Sequence, residues 1–140
     1  MVITETAGKH VAHSYFLLRL GTGLCFAVHG ALRFSRESYF EDLLQTATWI
    51  SDSSATVLIL YAYVMPAVEL LSGLLLCLGF LKRWAITGLL AIMIVWILSS
   101  VFLEYWQNMG AQLLFFFILY WLFFKLGDDQ WSFDRFLKHY

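Results

Sequence analysis

The chain has 140 residues, of which 61% are hydrophobic and 14% charged; soluble domains carry about 25% charged residues. A net charge of −1 with no basic stripe excludes a nucleic-acid partner. A mean hydropathy of +0.72 points to an all-α integral membrane protein forming a single membrane domain over residues 1–140.

Residues 1–13 read as a frayed polar tail. A crossing helix needs roughly 20 apolar residues, and the first such run covers 14–34. It lacks a small-residue cleavage site and is interrupted by Arg19, so it is expected to remain as a span rather than be removed as a signal. Arg19, Thr22, Gly23, Phe26, Gly30 and Arg33 recur at i, i+3, i+4, i+7, i+11 and i+14, which is one helical face, and His29 borders it. Tyr39, Phe40, Leu43, Leu44, Ala47 and Ile50 then recur at near-helical spacing behind Ser38 and Glu41, a capping pair. This predicts a short interfacial helix over about 38–50, lying on the outer surface.

The second span, about 57–80, contains YAYVMPAVELLSGLLLCLGF, with Glu69 near its middle. Pro66, Glu69, Gly73, Leu76 and Phe80 form its polar and small-residue stripe, and small residues let membrane helices approach closely. Lys82 and Arg83 join it almost without slack to a third span over about 84–103. The sequence EYWQN leads to a fourth over about 109–126, whose LLFFFILYWLFF reads as lipid-facing and packing surface. In the closing GDDQWSFDRFLKHY, Trp131, Phe133, Phe136 and Leu137 are spaced to lie on the inner surface. Trp49 and Trp106 are expected at the outer interface, and Trp84 and Trp131 at the inner one.

With four spans, both termini share a face with the 82–83 turn. Lys9, Arg19, Lys82, Arg83, Lys125, Arg135 and Lys138 mark that face, against Arg33 and Arg36 on the other. The bias of Lys and Arg toward the cytoplasm predicts a multi-pass protein with both termini cytoplasmic.

Charged groups inside spans pair with one another or line a wet cavity. Counting inward from the outer ends of their spans places Arg19 at about 22 Å and Glu69 at about 18 Å at 1.5 Å per residue. The expectation is therefore an intramembrane ion pair between Arg19 and Glu69, serving either as a strut between helices or in proton or ligand chemistry. A second candidate site lies near the outer surface, where His29, Trp96, Glu104 and Gln112 outline a small polar pocket floored by Trp96 and Phe26; Trp96, Ser100 and Glu104 fall at i, i+4 and i+8 on one face of the third helix, and Gln107 and Asn108 lie at the neighbouring span ends. The alternative is a structurally satisfied His29 beside wet loop residues. Cys25 and Cys77 both sit in apolar runs, so no disulfide is expected. His29 is the single histidine within a span, which argues against a bis-histidine haem. His10 and His13 lack a third ligand, and no metal is expected.

These residues carry a resemblance. RLGTGLCFAVHGALRF in the first span, MPAVELLSGLLLCLGFLKR in the second, WQNMGAQLLFF at the start of the fourth and the closing WSFDRFL resemble the DoxX superfamily, particularly its DoxD-like branch, over nearly all of 14–137. The resemblance implies a four-helix bundle in a prokaryotic inner membrane, working with redox partners. Members include subunits of thiosulfate:quinone oxidoreductase, membrane partners of redox enzymes, and chains with no assigned role. Because neither cysteine is placed at the outer water, sulfur transfer on this chain's own thiols is disfavoured.

Three functions compete. The first is a quinone-linked subunit of a redox complex, its quinone held by His29, Trp96, Glu104 and Gln112, with His29 as proton donor and Glu69 or Glu104 as relay. The second is a non-catalytic accessory, anchor or assembly subunit of a larger electron-transfer complex. The third is a small transporter, disfavoured because Pro66 is the one helix break on offer. Expected partners are the lipid bilayer and other membrane or redox subunits, or further copies of the chain.

Overall fold

The computed structural model describes residues 2–36, 52–102, 104, 106–129 and 131–137. The fold is an all-α bundle of four long apolar helices: α1 Val2–Ser35, α2 Asp52–Leu78, α3 Lys82–Phe102 and α4 Trp106–Phe124. A 3-10 turn, Leu126–Asp128, and a short α5, Phe133–Leu137, follow. Each long helix holds a stretch apolar and long enough to cross a membrane, so this is a multi-pass membrane protein. The interfacial helix expected over 38–50, with Trp49, lies outside the described residues. The 79–82 turn and residues 125–137 share one end, here the proximal end; the opposite end is distal.

The N-terminal region departs from expectation. Helix α1 is continuous from Val2, and Ala12 and Tyr15 are buried. The segment before the apolar run contains no proline and one glycine, and extending an existing helix costs far less than nucleating one.

Helices α1 and α2 pack most intimately. A methyl group on Gly30 would lie 2.7 Å from both the Pro66 carbonyl oxygen and the Leu70 nitrogen, and one on Gly23 would lie 2.9 Å from the Gly73 oxygen. The glycines therefore bring the two backbones into contact, which strengthens dispersion where lipid tails leave no hydrophobic drive between helices. Leu76 of α2, Ile86, Leu89 and Met93 of α3, and Leu119 and Leu122 of α4 form the fully buried core, joined by Tyr15 and Phe26 of α1. Pro66 is buried within α2, which continues through it. Trp84 and Trp131 are exposed at the proximal end and Trp106 at the distal end.

The α2–α3 turn is closed by residues from the far end of the sequence. Gly79 takes φ +69°, and its N–H donates to the Leu76 carbonyl while Phe80 N–H donates to that of Leu75, the paired bonds of a Schellman stop. Helix α3 begins without a polar N-cap, because the residue before it is Leu81. Its cap comes instead from Asp134, whose carboxylate accepts from Leu81 N–H at 2.8 Å and Lys82 N–H at 3.0 Å. In return Asp134 N–H donates to the Gly79 carbonyl. Asp134→Ala is expected to cost about 1 kcal/mol, as for loss of an N-cap side chain. Faster amide hydrogen exchange confined to Leu81, Lys82 and their neighbours is the measurement that checks it.

Candidate functional site

Two polar centres lie inside the bundle, one at each end. At the proximal end Arg19 is almost wholly buried. Its guanidinium donates to the carbonyls of Leu76 (2.7 Å), Cys77 (3.2 Å) and Trp131 (2.8 Å). Two of these are carbonyls of the last turn of α2, the Leu76 one shared with Gly79 N–H, where the helix dipole favours a cation. Arg19 Nε lies 3.4 Å from Asp129 Oδ2. The same oxygen accepts from Lys82 Nζ at 2.8 Å, and Lys82 also donates to Ser132 Oγ at 3.0 Å. One buried carboxylate thus serves two buried cations. Tyr15 completes this end by donating from its hydroxyl to the Leu122 carbonyl at 3.0 Å.

The Arg19–Glu69 pair read from the sequence is corrected by this geometry. Glu69, fully buried, accepts from Arg33 Nη1 at 2.8 Å. Because Gly30 faces Pro66 and Leu70, Glu69 stands level with residues 29–30 of α1, and Arg19 is displaced from that level by about 15 Å along the helix. Counting from the start of each apolar run fails because α2 runs past the distal end of α1, at Ser35, by roughly three turns. Arg33 already occupied the inward stripe of the first span. Its spacing from Gly30 is the signal that could have identified it as the acid's partner, in place of the Arg19 that was expected. Asp129, hidden in a polar run that hydropathy assigns to water, carried no comparable signal.

The distal centre surrounds a cavity of about 550 Å³. Helices α1 and α4 are tied together by the Tyr15–Trp121 and Phe26–Phe115 ring contacts, the latter at 5.5 Å; beyond Phe26 the space between them is this cavity. Phe26, Met93, Trp96 and Phe115 give it an apolar wall, and His29, Arg33, Ser100 and Gln112 supply the polar groups. The rings of His29 and Trp96 meet edge to face at 5.6 Å. The Arg33 guanidinium lies over the Trp96 face at 4.4 Å, a cation–π contact that turns the arginine between Glu69 and the indole. Gln112 donates from its amide nitrogen to Ser100 Oγ at 2.8 Å. Its oxygen is buried without a hydrogen-bond partner among the described residues, as is Glu69 Oε2.

Of the four residues expected to form the distal pocket, His29, Trp96 and Gln112 line one cavity and Glu104 does not. Glu104 sits exposed in the α3–α4 turn with φ +57°, where the turn directs it away from the wall that its helical spacing from Ser100 had implied. Arg33 and Tyr61 join the lining instead, and of the neighbouring Gln107 and Asn108 it is Asn108 that reaches it. Cys25 and Cys77 are both free, and Cys25 is on the cavity wall. His10 and His13 are exposed, His13 lying against the Trp131 ring at 5.7 Å. Chemically, the cavity can hold a flat ring among aromatic side chains and address its edge with an imidazole, a hydroxyl and an amide.

The family model for DoxX matches residues 14–106, which covers α1 to α3 and therefore three sides of this cavity. No curated protein and no solved structure matches the chain at a significant level.

Proposed function

The chain belongs to the DoxX family, and from that premise we propose that it is a membrane subunit of a redox complex whose distal cavity holds the ring of a quinone. The observation that carries the reading is the cavity itself. Its volume of about 550 Å³ falls in the range of roughly 300–1,000 Å³ for small-molecule sites, which are mostly apolar with a few placed polar groups. The residues present fit the group. Trp96, Phe26 and Phe115 would hold the ring, and His29, Ser100 and Gln112 would address its oxygens. A bound quinone would supply two-electron redox chemistry. The chain's own contribution is to orient the ring, keep its faces dry and offer at His29 an imidazole that can donate or accept a hydrogen bond at a ring oxygen. The Arg33–Glu69 pair backs the Trp96 face and fixes its position.

In this reading the opening where α1 and α4 part admits the ligand from the bilayer, and the termini face the cytoplasm of a prokaryotic inner membrane. The electron donor is a partner subunit. Purified protein in nanodiscs is expected to bind a short-chain benzoquinone at one site per chain, followed by calorimetry. Trp96→Leu should weaken that binding by about two- to tenfold, the equivalent of the 0.5–1.5 kcal/mol of an aromatic pair. Wild-type protein that binds no quinone, yet copurifies with larger redox subunits, would instead make this chain their accessory or anchor.

A further inference from the structure

Most polar groups on the distal cavity wall suit either kind of ligand atom, and one does not. The His29 imidazole, the Ser99 and Ser100 hydroxyls and the Asn108 and Gln112 amides all line it. Each can donate or accept a hydrogen bond according to its tautomer or rotation. Arg33 on the same wall can only donate, and its positive charge is permanent. Its side chain is 21% exposed, so that charge reaches the cavity. No carboxylate lines the cavity among the described residues. Glu69, the partner of Arg33, is fully buried and off the lining, and Glu104 is exposed in the α3–α4 turn. The ion pair therefore turns its positive end toward the cavity. Arg36 adds to the same field, since both arginines act electrostatically on His29. Resting on the quinone reading above, we infer that the distal cavity takes an anionic ring, a quinone bearing an ionised ring hydroxyl, and that Arg33 is the group that selects it.

The guanidinium is held in place before any ligand arrives. Its Nη1 donates to Glu69 at 2.8 Å, and its plane of charge lies over the Trp96 ring at 4.4 Å. A group already fixed in position costs little further ordering on binding. An anion entering the cavity must give up water, which is costly unless a fixed opposite charge receives it, and that attraction strengthens where water is excluded. Phe26, Met93 and Phe115 present carbon to neutral and anionic rings alike, so they set the shape of the ligand and leave its charge to Arg33. Glu69 limits the selectivity, because it compensates part of the charge that the ligand meets.

The test uses the full chain in nanodiscs of zwitterionic lipid, with empty nanodiscs as the reference, and two probes of one shape. One is 2-hydroxy-1,4-naphthoquinone, an anion at neutral pH; the other is its 2-methoxy ether, which cannot ionise. Wild-type protein is expected to bind the hydroxyl compound about tenfold more tightly, the margin by which a hydrogen bond to a charged group exceeds a neutral one. Glu69→Gln, which leaves the Arg33 charge uncompensated, should widen that ratio. Arg33→Met combined with Glu69→Gln removes both charges and strands neither, and should bring the ratio to about twofold or less. Equal or weaker binding of the hydroxyl compound by the wild type overturns this inference and leaves the quinone site standing. So does a preference that narrows in Glu69→Gln or survives in the double variant. Failure of both probes and of the short-chain benzoquinone to bind the wild type overturns the quinone site, and this inference with it.

Discussion

Asp129→Asn is expected to destabilise the folded protein by about 3–5 kcal/mol, the range for removing one partner from a buried ion pair. The effect is large because the acid has two dependants. Arg19 and Lys82 are both buried, and both contact the same Asp129 oxygen. Without the carboxylate they confront each other across a dry interior. Arg19 would be left with main-chain carbonyls in place of its carboxylate. Reversible unfolding in mixed detergent micelles measures the loss. Adding Lys82→Met to Asp129→Asn should restore part of it, because one of the two stranded cations is gone. A loss below about 1 kcal/mol, the scale of an exposed pair, would reject the shared-carboxylate arrangement.

The second prediction separates the two pairings proposed for Glu69. A double-mutant cycle on Glu69→Gln and Arg33→Met should give a coupling of about 1–3 kcal/mol, as for contacting residues. The lower part of that range is expected, since the Arg33 side chain is 21% exposed and solvent screens it. The matching cycle on Glu69→Gln and Arg19→Met should be additive to within about 0.3–0.5 kcal/mol, as for sites without shared partners. Coupling in the second cycle and additivity in the first would restore the Arg19–Glu69 pairing.

The contrast between these cycles shows what a sequence can and cannot disclose in a membrane bundle. Hydropathy locates the four spans, and the small residues at Gly23, Gly30 and Gly73 identify the faces that meet. His29, Trp96 and Gln112 come together because each sits near the distal end of its own helix, a property that numbering preserves. Register is different. Nothing in the run containing Glu69 says that α2 begins about three turns beyond the end of α1, and an error of that size exchanges one arginine for the other. The proximal knot was harder still to read. Arg19 is held mainly by main-chain carbonyls, which carry no residue identity, and by Asp129, whose neighbours Asp128 and Gln130 give it the look of a solvated turn. Glu104 illustrates the opposite failure, for a helical periodicity was extended one step past where the helix stops.

The cap on α3 bears on how the protein is made. Asp134 lies 53 residues beyond Leu81, whose amide it receives, so at about 5–20 residues per second a ribosome needs several seconds to deliver it after that amide has been synthesised. Until then the α2–α3 bend lacks its cap and Lys82 lacks its acid. The segment that locks the bend is therefore made after the helices it locks. A reporter fused downstream of residue 126 but lacking the segment that contains Asp129 and Asp134 would be inserted normally and yet remain sensitive to membrane quality-control proteases.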